Sequence, residues 1–133
     1  MVERVLSVLD NNGLDGYVLV IDDASPDGTG EIADRLALKH ERVSVLHRSG
    51  KEGLGPAYRD GFREALAGGA ELILEMDCDF SHDPGDIPRL VQAARTADLV
   101  LGSRYVRGGG TENWGVVRRA ISRGGSAYAR RAL

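Results

Sequence analysis

Apolar runs that alternate with helix-like segments constrain the fold of this chain more than any other feature. Short apolar runs bounded by turn or polar residues lie at 17–21, 43–46, 72–76 and 99–101. Around them, apolar residues recur at the spacing of an amphipathic helix in segments near 2–9, 32–36, 58–66 and 87–94. Strands that alternate with helices of this length predict βαβ units and a mostly parallel sheet flanked by helices.

The two ends of the chain indicate a partial domain. No strand precedes the first helical segment, and residues 126–133 end inside a helical pattern without a stop signal. The apolar fraction of 42% and charged fraction of 28% are typical of a soluble globular protein. No apolar run approaches the roughly 18 residues that cross a bilayer. We expect residues 1–133 to form a single partial α/β domain, lacking its first strand and truncated at the carboxyl end.

An acidic cluster, "DDASPDGTG", follows the run at 17–21. In an open parallel sheet, ligands bind beyond the carboxyl ends of the strands. Asp22 and Asp23 lie where the chain leaves the core, and a carboxylate there can accept hydrogen bonds from a nucleobase or ribose. The alternative is a plain strand-to-helix loop in which Asp27 makes the turn and Ser25 or Thr29 caps the helix.

A second cluster, "DCDFSHDP", follows the run at 72–76. In extended backbone Asp77 and Asp79 share a face, and two like charges so close repel unless a cation lies between them. Hard divalent cations prefer carboxylate oxygens and often keep water and phosphate as further ligands. The alternative is a loop in which Asp79 or Asp83 only caps the next helix. We expect His82 to face solvent and Cys78 to be a small buried side chain.

A third cluster, "GSRYVRGGGTENWGVVRRAIS", combines glycines with arginines. Residues 102–133 hold 7 arginines and one acid, whereas residues 1–101 hold 10 basic and 19 acidic residues. The guanidinium groups of Arg104, Arg118 and Arg119 suit phosphate, because each can grip two oxygens. Trp114, Val117 and Ile121 form an apolar stripe beside these arginines. This combination suits a phosphate on a lipid tail at a membrane surface, and the alternative is an amphipathic helix buried against the sheet.

Together these stretches resemble the GT-A fold, family 2 glycosyltransferases, and within them the dolichol-phosphate (polyprenyl-phosphate) mannose synthases. The matching stretches, in family order, are "VIDDASPDGTGEIA", "HRSGKEGLGPAYRDGFREALAGGAELILEMDCDFSHDP" and "LVLGSRYVRGGGTENWGVVRRAISRGGSAYAR". The family's opening strand, with its nucleotide motif, is missing from this chain. The resemblance implies a GT-A (Rossmann-like) domain that transfers a sugar from a nucleoside-diphosphate sugar, GDP-mannose first, to a polyprenyl or dolichyl monophosphate with inversion.

For the donor, the resemblance implies a metal site and a nucleoside contact. Asp77 and Asp79 match the D-x-D pair that carries Mg²⁺ or Mn²⁺ on the donor diphosphate, with Ser81 nearby. Asp22 or Asp23 would contact the nucleoside.

For the acceptor, the resemblance implies that Arg104, Arg118 and Ser122 hold the phosphate, with Arg119 beside them. That phosphate is already ionised near neutral pH, its second pKa being about 6, so no side-chain base is required. Catalysis would then be positioning plus charge neutralisation by Asp79 through its metal and by Arg104 and Arg118. We expect the enzyme on the cytoplasmic face of the membrane as a peripheral protein, with no nucleic-acid partner and no assigned oligomeric state.

Other readings are a family 2 enzyme that uses a UDP-sugar, such as a polyprenyl-phosphate glucosyltransferase, and a non-catalytic fragment. A remote alternative is a phosphoacceptor receiver domain, because "VLVIDDAS" resembles the acidic pair that ends a receiver's first strand. A receiver has a lysine at the end of a late strand, where this chain has Gly102, Ser103 and Arg104. The glycines of "GLGPAY" do not fit G-x-G-x-x-G, which argues against a dinucleotide enzyme.

Overall fold

A computed structural model describes residues 1–79, 81–103 and 115–132, without the side chains of residues 118, 119, 129, 130 and 132. The chain divides into two compact units, Met1–Val100 and Leu101–Leu133. The elements of the first unit are α1 (Val2–Asn11), β1 (Val18–Asp22), α2 (Thr29–Lys39), β2 (Val43–His47), α3 (Leu54–Ala67), a 3-10 turn (Pro84–Asp86) and α4 (Ile87–Ala94). The second unit contains α5 (Val116–Ala132).

Strands β1 and β2 form a parallel pair joined by α2, as the sequence pattern predicts. Their register runs from Val18 opposite Val43 to Asp22 opposite His47. Because parallel strands point the same way, the carboxyl ends of both lie side by side. The residues that follow the two strands therefore start from one edge of the sheet.

An apolar core supports this pair of strands. Val2 and Leu6 on one face of α1 are buried together with Val43 of β2. Helix α3 lies close against β1, because a Cβ atom added at Gly61 would collide with Ile21 Cδ1. All four helices of this unit that the sequence spacing predicted are confirmed. Helix α4 has the predicted bounds, and the other three extend beyond the predicted segments.

The apolar runs at 72–76 and 99–101 are not strands, so that part of the prediction is wrong. Within the described residues the sheet has only β1 and β2, and neither run has a strand partner. Leu72, Leu74, Leu99 and Leu101 are all partly or largely exposed. Apolar content suits a residue to a strand, but a strand forms only where a neighbour satisfies its backbone N–H and C=O groups.

The helical pattern at the carboxyl end is confirmed by α5, although it begins earlier than residue 126. Val116, Val117, Ile121 and Tyr128 on this helix are exposed. Trp114, which the sequence places in the same stripe as Val117 and Ile121, lies outside the described residues. None of the helices in the described ranges is both long and apolar enough to cross a membrane.

Candidate active site

Asp22, the last residue of β1, is a buried structural carboxylate. It is only 7% exposed, and both of its oxygens have partners. Oδ1 accepts the backbone N–H of Ser25 at 3.2 Å, and Oδ2 lies 3.2 Å from Nδ1 of His47. Hydrogen bonds from Ser25 lower the pKa of the Asp22 carboxyl, against the opposing effect of burial, and His47 lowers it further. Asp22 is therefore ionised at neutral pH.

His47 joins the end of β2 to two carboxylates. Its Nδ1 faces Asp22, and its Nε2 lies 2.9 Å from Oδ1 of Asp34 on α2. Hydrogen bonds to Asp34 first, and then to Asp22, raise the pKa of the imidazole. Since both ring nitrogens face acceptors, the doubly protonated imidazolium satisfies both contacts at once.

The start of α2 packs directly against Asp22 and His47. A Cβ atom at Gly30 would be 2.7 Å from Asp22 Oδ2 and 3.2 Å from His47 Cε1. The turn before the helix is held by Asp27, whose Oδ1 accepts the backbone N–H of Thr29 at 3.1 Å and its hydroxyl at 2.6 Å. The turn at Asp27 is thus confirmed, whereas the carboxylate, rather than Ser25 or Thr29, supplies the hydrogen bonds that hold it.

Asp23 differs from Asp22 in that it has an open oxygen. Its side chain is 30% exposed, and Oδ1 accepts a hydrogen bond from Nη1 of Arg48. Within the described ranges, Oδ2 of Asp23 has no hydrogen-bond partner. Of the two acids predicted to contact a nucleoside, Asp22 has both carboxylate oxygens in contact with protein groups. Asp23 has one oxygen that can accept a further hydrogen bond.

Arg48 connects three acidic side chains beneath this edge. Its side chain is only 7% exposed, with Nε 2.9 Å from Asp60 Oδ2 and Nη2 3.1 Å from Glu52 Oε2, in addition to the contact with Asp23. Its backbone N–H donates to the carbonyl of Asp22 at 2.9 Å. An open cavity of about 240 Å³ is lined by Leu46, His47, Arg48, Ser49, Glu52 and Asp60.

Asp77 and Asp79 are both exposed, but the extended backbone expected to align them is absent. Asp79 lies in a turn, where Oδ1 accepts the backbone N–H of Ser81 at 2.8 Å. Hydrogen bonds from the side chain and backbone of Ser81 lower the pKa of Asp79. The backbone N–H of Asp77 donates to Nδ1 of His82 at 3.1 Å. The structure therefore places Asp79 in contact with Ser81, and Asp77 in contact with His82.

The predictions for the neighbouring Cys78 and His82 have different outcomes. His82 is exposed as expected. Cys78 is exposed, so its prediction as a buried side chain is wrong. The reason is the missing strand: without a paired strand at 72–76, no inward face exists on which Cys78 could be buried.

Exposed carboxylates suit Mg²⁺ or Mn²⁺ when water or phosphate completes the coordination. Asp79 meets the charge requirement through its lowered pKa. In the part of the chain that the structure describes, no group of three or more His, Cys, Asp or Glu side chains is arranged to hold a metal. The assignment of Mg²⁺ or Mn²⁺ to Asp77, Asp79 and Ser81 therefore stays a prediction.

Helix α3 contacts both acidic clusters. Asp60 on this helix binds Arg48 and, through it, Asp23. Two residues earlier, the hydroxyl of Tyr58 lies 3.5 Å from Oδ1 of Asp77. Burial, with hydrogen bonding to Glu75 next, raises the pKa of Tyr58 to about 12, so its hydroxyl remains a donor to these acids. The same half of one helix thus supports the two clusters that the sequence predicts for nucleoside and metal.

The acceptor residues fall mostly outside the described part. Arg104 lies outside the described residues, and so do the side chains of Arg118 and Arg119. Ser122 lies on α5 with its side chain partly exposed. Their assignment to an acceptor phosphate stays a prediction.

Sequence reasoning missed Arg48 and the two α3 residues, Tyr58 and Asp60. A signal for Arg48 was present, because the pair His47 and Arg48 ends β2 as the two acids end β1. Basic and acidic pairs at the ends of neighbouring parallel strands can be expected to meet. No comparable signal marks the α3 residues.

A parallel βαβ unit with acidic side chains beyond its strand ends is typical of nucleotide-binding α/β proteins. Residues 1–132 match the sequence model of the family described as Glycosyl transferase family 2. The chain therefore belongs to glycosyl transferase family 2, as the sequence motifs predicted. Within the described residues, the parallel strands and five α-helices are consistent with the α/β fold of this family.

Three curated relatives are similar to most of this chain. It is 56% identical over 113 residues, 85% of this chain and 46% of the relative, to the undecaprenyl-phosphate mannosyltransferase of Micrococcus luteus. It is 48% identical over 116 residues, 86% of this chain and 44% of the relative, to the polyprenol monophosphomannose synthase of Mycolicibacterium smegmatis. It is 40% identical over 134 residues, 98% of this chain and 37% of the relative, to the dolichol-phosphate mannosyltransferase of Pyrococcus furiosus. The chain spans less than half the length of these relatives.

Proposed function

We propose that this chain carries the donor-binding and acceptor-phosphate-binding residues of a polyprenyl-phosphate mannosyltransferase. The observation that carries the proposal is the contact of α3 with both acidic clusters, through Asp60 and Arg48 to Asp23 and through Tyr58 to Asp77. A nucleoside diphosphate has its base and ribose at one end and its negative phosphates at the other. Clusters that share one supporting helix suit such a ligand. The names of the three relatives support mannose as the sugar and a polyprenyl phosphate as the acceptor.

On the donor side, GDP-mannose is the proposed substrate. Asp23 accepts a hydrogen bond from the nucleoside through its open Oδ2, and Asp22 keeps the strand end in place. Asp77, Asp79 and Ser81 would hold Mg²⁺ or Mn²⁺, which supplies neutralisation of the diphosphate leaving group. Residues of this chain then orient the sugar so that the acceptor phosphate attacks the anomeric carbon from the face opposite the leaving diphosphate, which inverts the configuration at that carbon.

On the acceptor side, Arg104, Arg118, Arg119 and Ser122 are proposed to grip the phosphate of the polyprenol. The excess of arginine over acid in residues 102–133 supports this division of labour. Since such a phosphate is ionised near neutral pH, it needs no general base. The exposed Val117 and Ile121 on α5 suit contact with the lipid tail. We propose that the reaction takes place at the cytoplasmic face of the membrane, with the enzyme bound peripherally.

Transfer of labelled mannose from GDP-mannose to polyprenyl phosphate in detergent micelles tests this function. We expect Mn²⁺-dependent label in the organic phase and little with UDP-glucose as donor. Arg118→Ala should reduce kcat/KM for the acceptor roughly ten- to a hundredfold, since a charge-assisted contact contributes about 1.5–3 kcal/mol. Arg123→Ala, an exposed arginine of the same helix, is the matched control and should change little. The acceptor assignment is wrong if Arg118→Ala weakens GDP binding and leaves the acceptor KM unchanged.

A further inference from the structure

We propose that Arg48 is a positioning residue that fixes the carboxylate of Asp23 for the nucleoside of the donor. The inference rests on the function proposed above and adds to it a residue that contacts no substrate. Its basis is that Arg48 binds Asp23 while the rest of its guanidinium is held by side chains from other segments.

The three nitrogens of the guanidinium each contact a different carboxylate. Nη1 binds Asp23 in the loop after β1, Nη2 binds Glu52 in the loop before α3, and Nε binds Asp60 on α3. The group is nearly buried, so these contacts are weakly screened by solvent. A planar guanidinium held at two nitrogens has a fixed direction at the third. Glu52 and Asp60 therefore determine where Arg48 holds Asp23.

Asp23 has no other partner to fix its orientation within the described ranges. The neighbouring Ala24 has a φ of 54°, a left-handed conformation that a residue with a Cβ rarely adopts. The backbone thus turns sharply directly after Asp23. The single contact with Arg48 leaves Oδ2 open in one direction, which is what a carboxylate needs to select one donor group of a ligand.

Nucleotide binding by a double-mutant cycle tests the inference. We would measure the Kd of GDP and of UDP with Mn²⁺ by calorimetry for Arg48→Lys, Asp23→Asn and the double variant. Lysine keeps the charge but cannot contact three carboxylates in one plane. Arg48→Lys should weaken binding of the preferred nucleotide about tenfold or more. The double variant should bind no more weakly than Asp23→Asn alone, because Arg48 acts through Asp23.

Arg42→Lys is the matched control, since Arg42 is also partly buried but, among the described residues, its side chain pairs with Asp10 on α1 alone. It should leave both Kd values unchanged. Circular dichroism at the temperature of the titration shows whether each variant is folded. If Arg48→Lys does not fold, Asp60→Asn replaces it in the cycle, because it loosens the guanidinium of Arg48 and keeps the contact with Asp23. We expect Asp60→Asn to lower nucleotide affinity severalfold in the wild-type background and to have no effect in the Asp23→Asn background.

The inference is overturned if a folded Arg48→Lys or Asp60→Asn binds nucleotide as wild type does. It is also overturned if the losses of nucleotide affinity in Arg48→Lys and Asp23→Asn are additive in the double variant. A wild-type protein that binds neither GDP nor UDP refutes the proposed donor function and this inference with it. A wild-type protein that binds while Arg48→Lys shows no loss refutes only the inference.

Discussion

Replacing Gly30 by alanine tests the close packing of α2 on the end of β1. The added Cβ would lie 2.7 Å from Asp22 Oδ2, a distance that Cβ atoms essentially never adopt. Asp22 cannot turn away freely, because Ser25 and His47 hold its two oxygens. Either those hydrogen bonds weaken or the start of α2 moves outward.

Either response lowers the free energy of unfolding. Overpacking of this kind typically costs about 1–3 kcal/mol. Alanine recovers up to about 1 kcal/mol of helix propensity over glycine, and less in the first turn. We expect Gly30→Ala to lose roughly 1–2 kcal/mol, a fall in Tm of roughly 3–10 °C for a chain of this size.

Gly55→Ala is a matched control for this change. Gly55 is the second residue of α3, as Gly30 is of α2, and a Cβ there meets nothing within 4 Å. Gly55→Ala should be neutral or stabilise by up to about 1 kcal/mol. Urea unfolding followed by circular dichroism measures both variants. Equal stability of the two, or a more stable Gly30→Ala, would refute the packing described here.

Two further changes test local features of the same unit. The raised pKa of His47 means that its contacts stabilise the fold fully below the unfolded pKa of about 6.5, and that this stabilisation is lost as the pH rises through the higher folded pKa. The urea midpoint should therefore fall between pH 6 and 9 in wild type and fall less in His47→Gln; equal slopes would contradict this. Asp83 accepts the N–H of Gly85 at 3.0 Å at the start of the 3-10 turn. Asp83→Ala should lower the free energy of unfolding by about 0.5–2 kcal/mol and Asp83→Asn by much less, whereas equal losses would argue against a capping role.

The first βαβ unit could be predicted from the sequence because its signals agree with one another. The apolar run that ends in Ile21, the glycine turn at Gly28 and the helical spacing from Ile32 all favour strand, turn and helix in that order. The family could be predicted too, because its motifs occur in order along most of the chain.

The later strands could not be predicted correctly from apolar runs alone. Leu72 and Leu99 belong to runs that resemble strands, but strand formation depends on a partner that no local pattern describes. The error extends to Cys78, whose expected burial depended on such a strand. Arg48 was missed for a similar reason, since its three carboxylate partners come from separate segments of the chain.

The division between Asp22 and Asp23 also required the structure. Both acids follow the same strand, and the sequence left open which of them contacts a nucleoside. Only the contacts with Ser25, His47 and Arg48 distinguish a carboxylate with two occupied oxygens from one with an open oxygen.

The most direct test of the proposed function is the Mn²⁺ dependence of GDP binding in Asp79→Asn. Calorimetry would measure the Kd of GDP with and without Mn²⁺ for wild type, for Asp79→Asn and for Asp86→Asn, an exposed acid of the 3-10 turn that pairs with Arg89. We expect Mn²⁺ to increase GDP affinity at least tenfold in wild type and in Asp86→Asn, and to have little effect in Asp79→Asn. The same Mn²⁺ enhancement in Asp79→Asn as in wild type would contradict a metal-assisted donor site at these carboxylates.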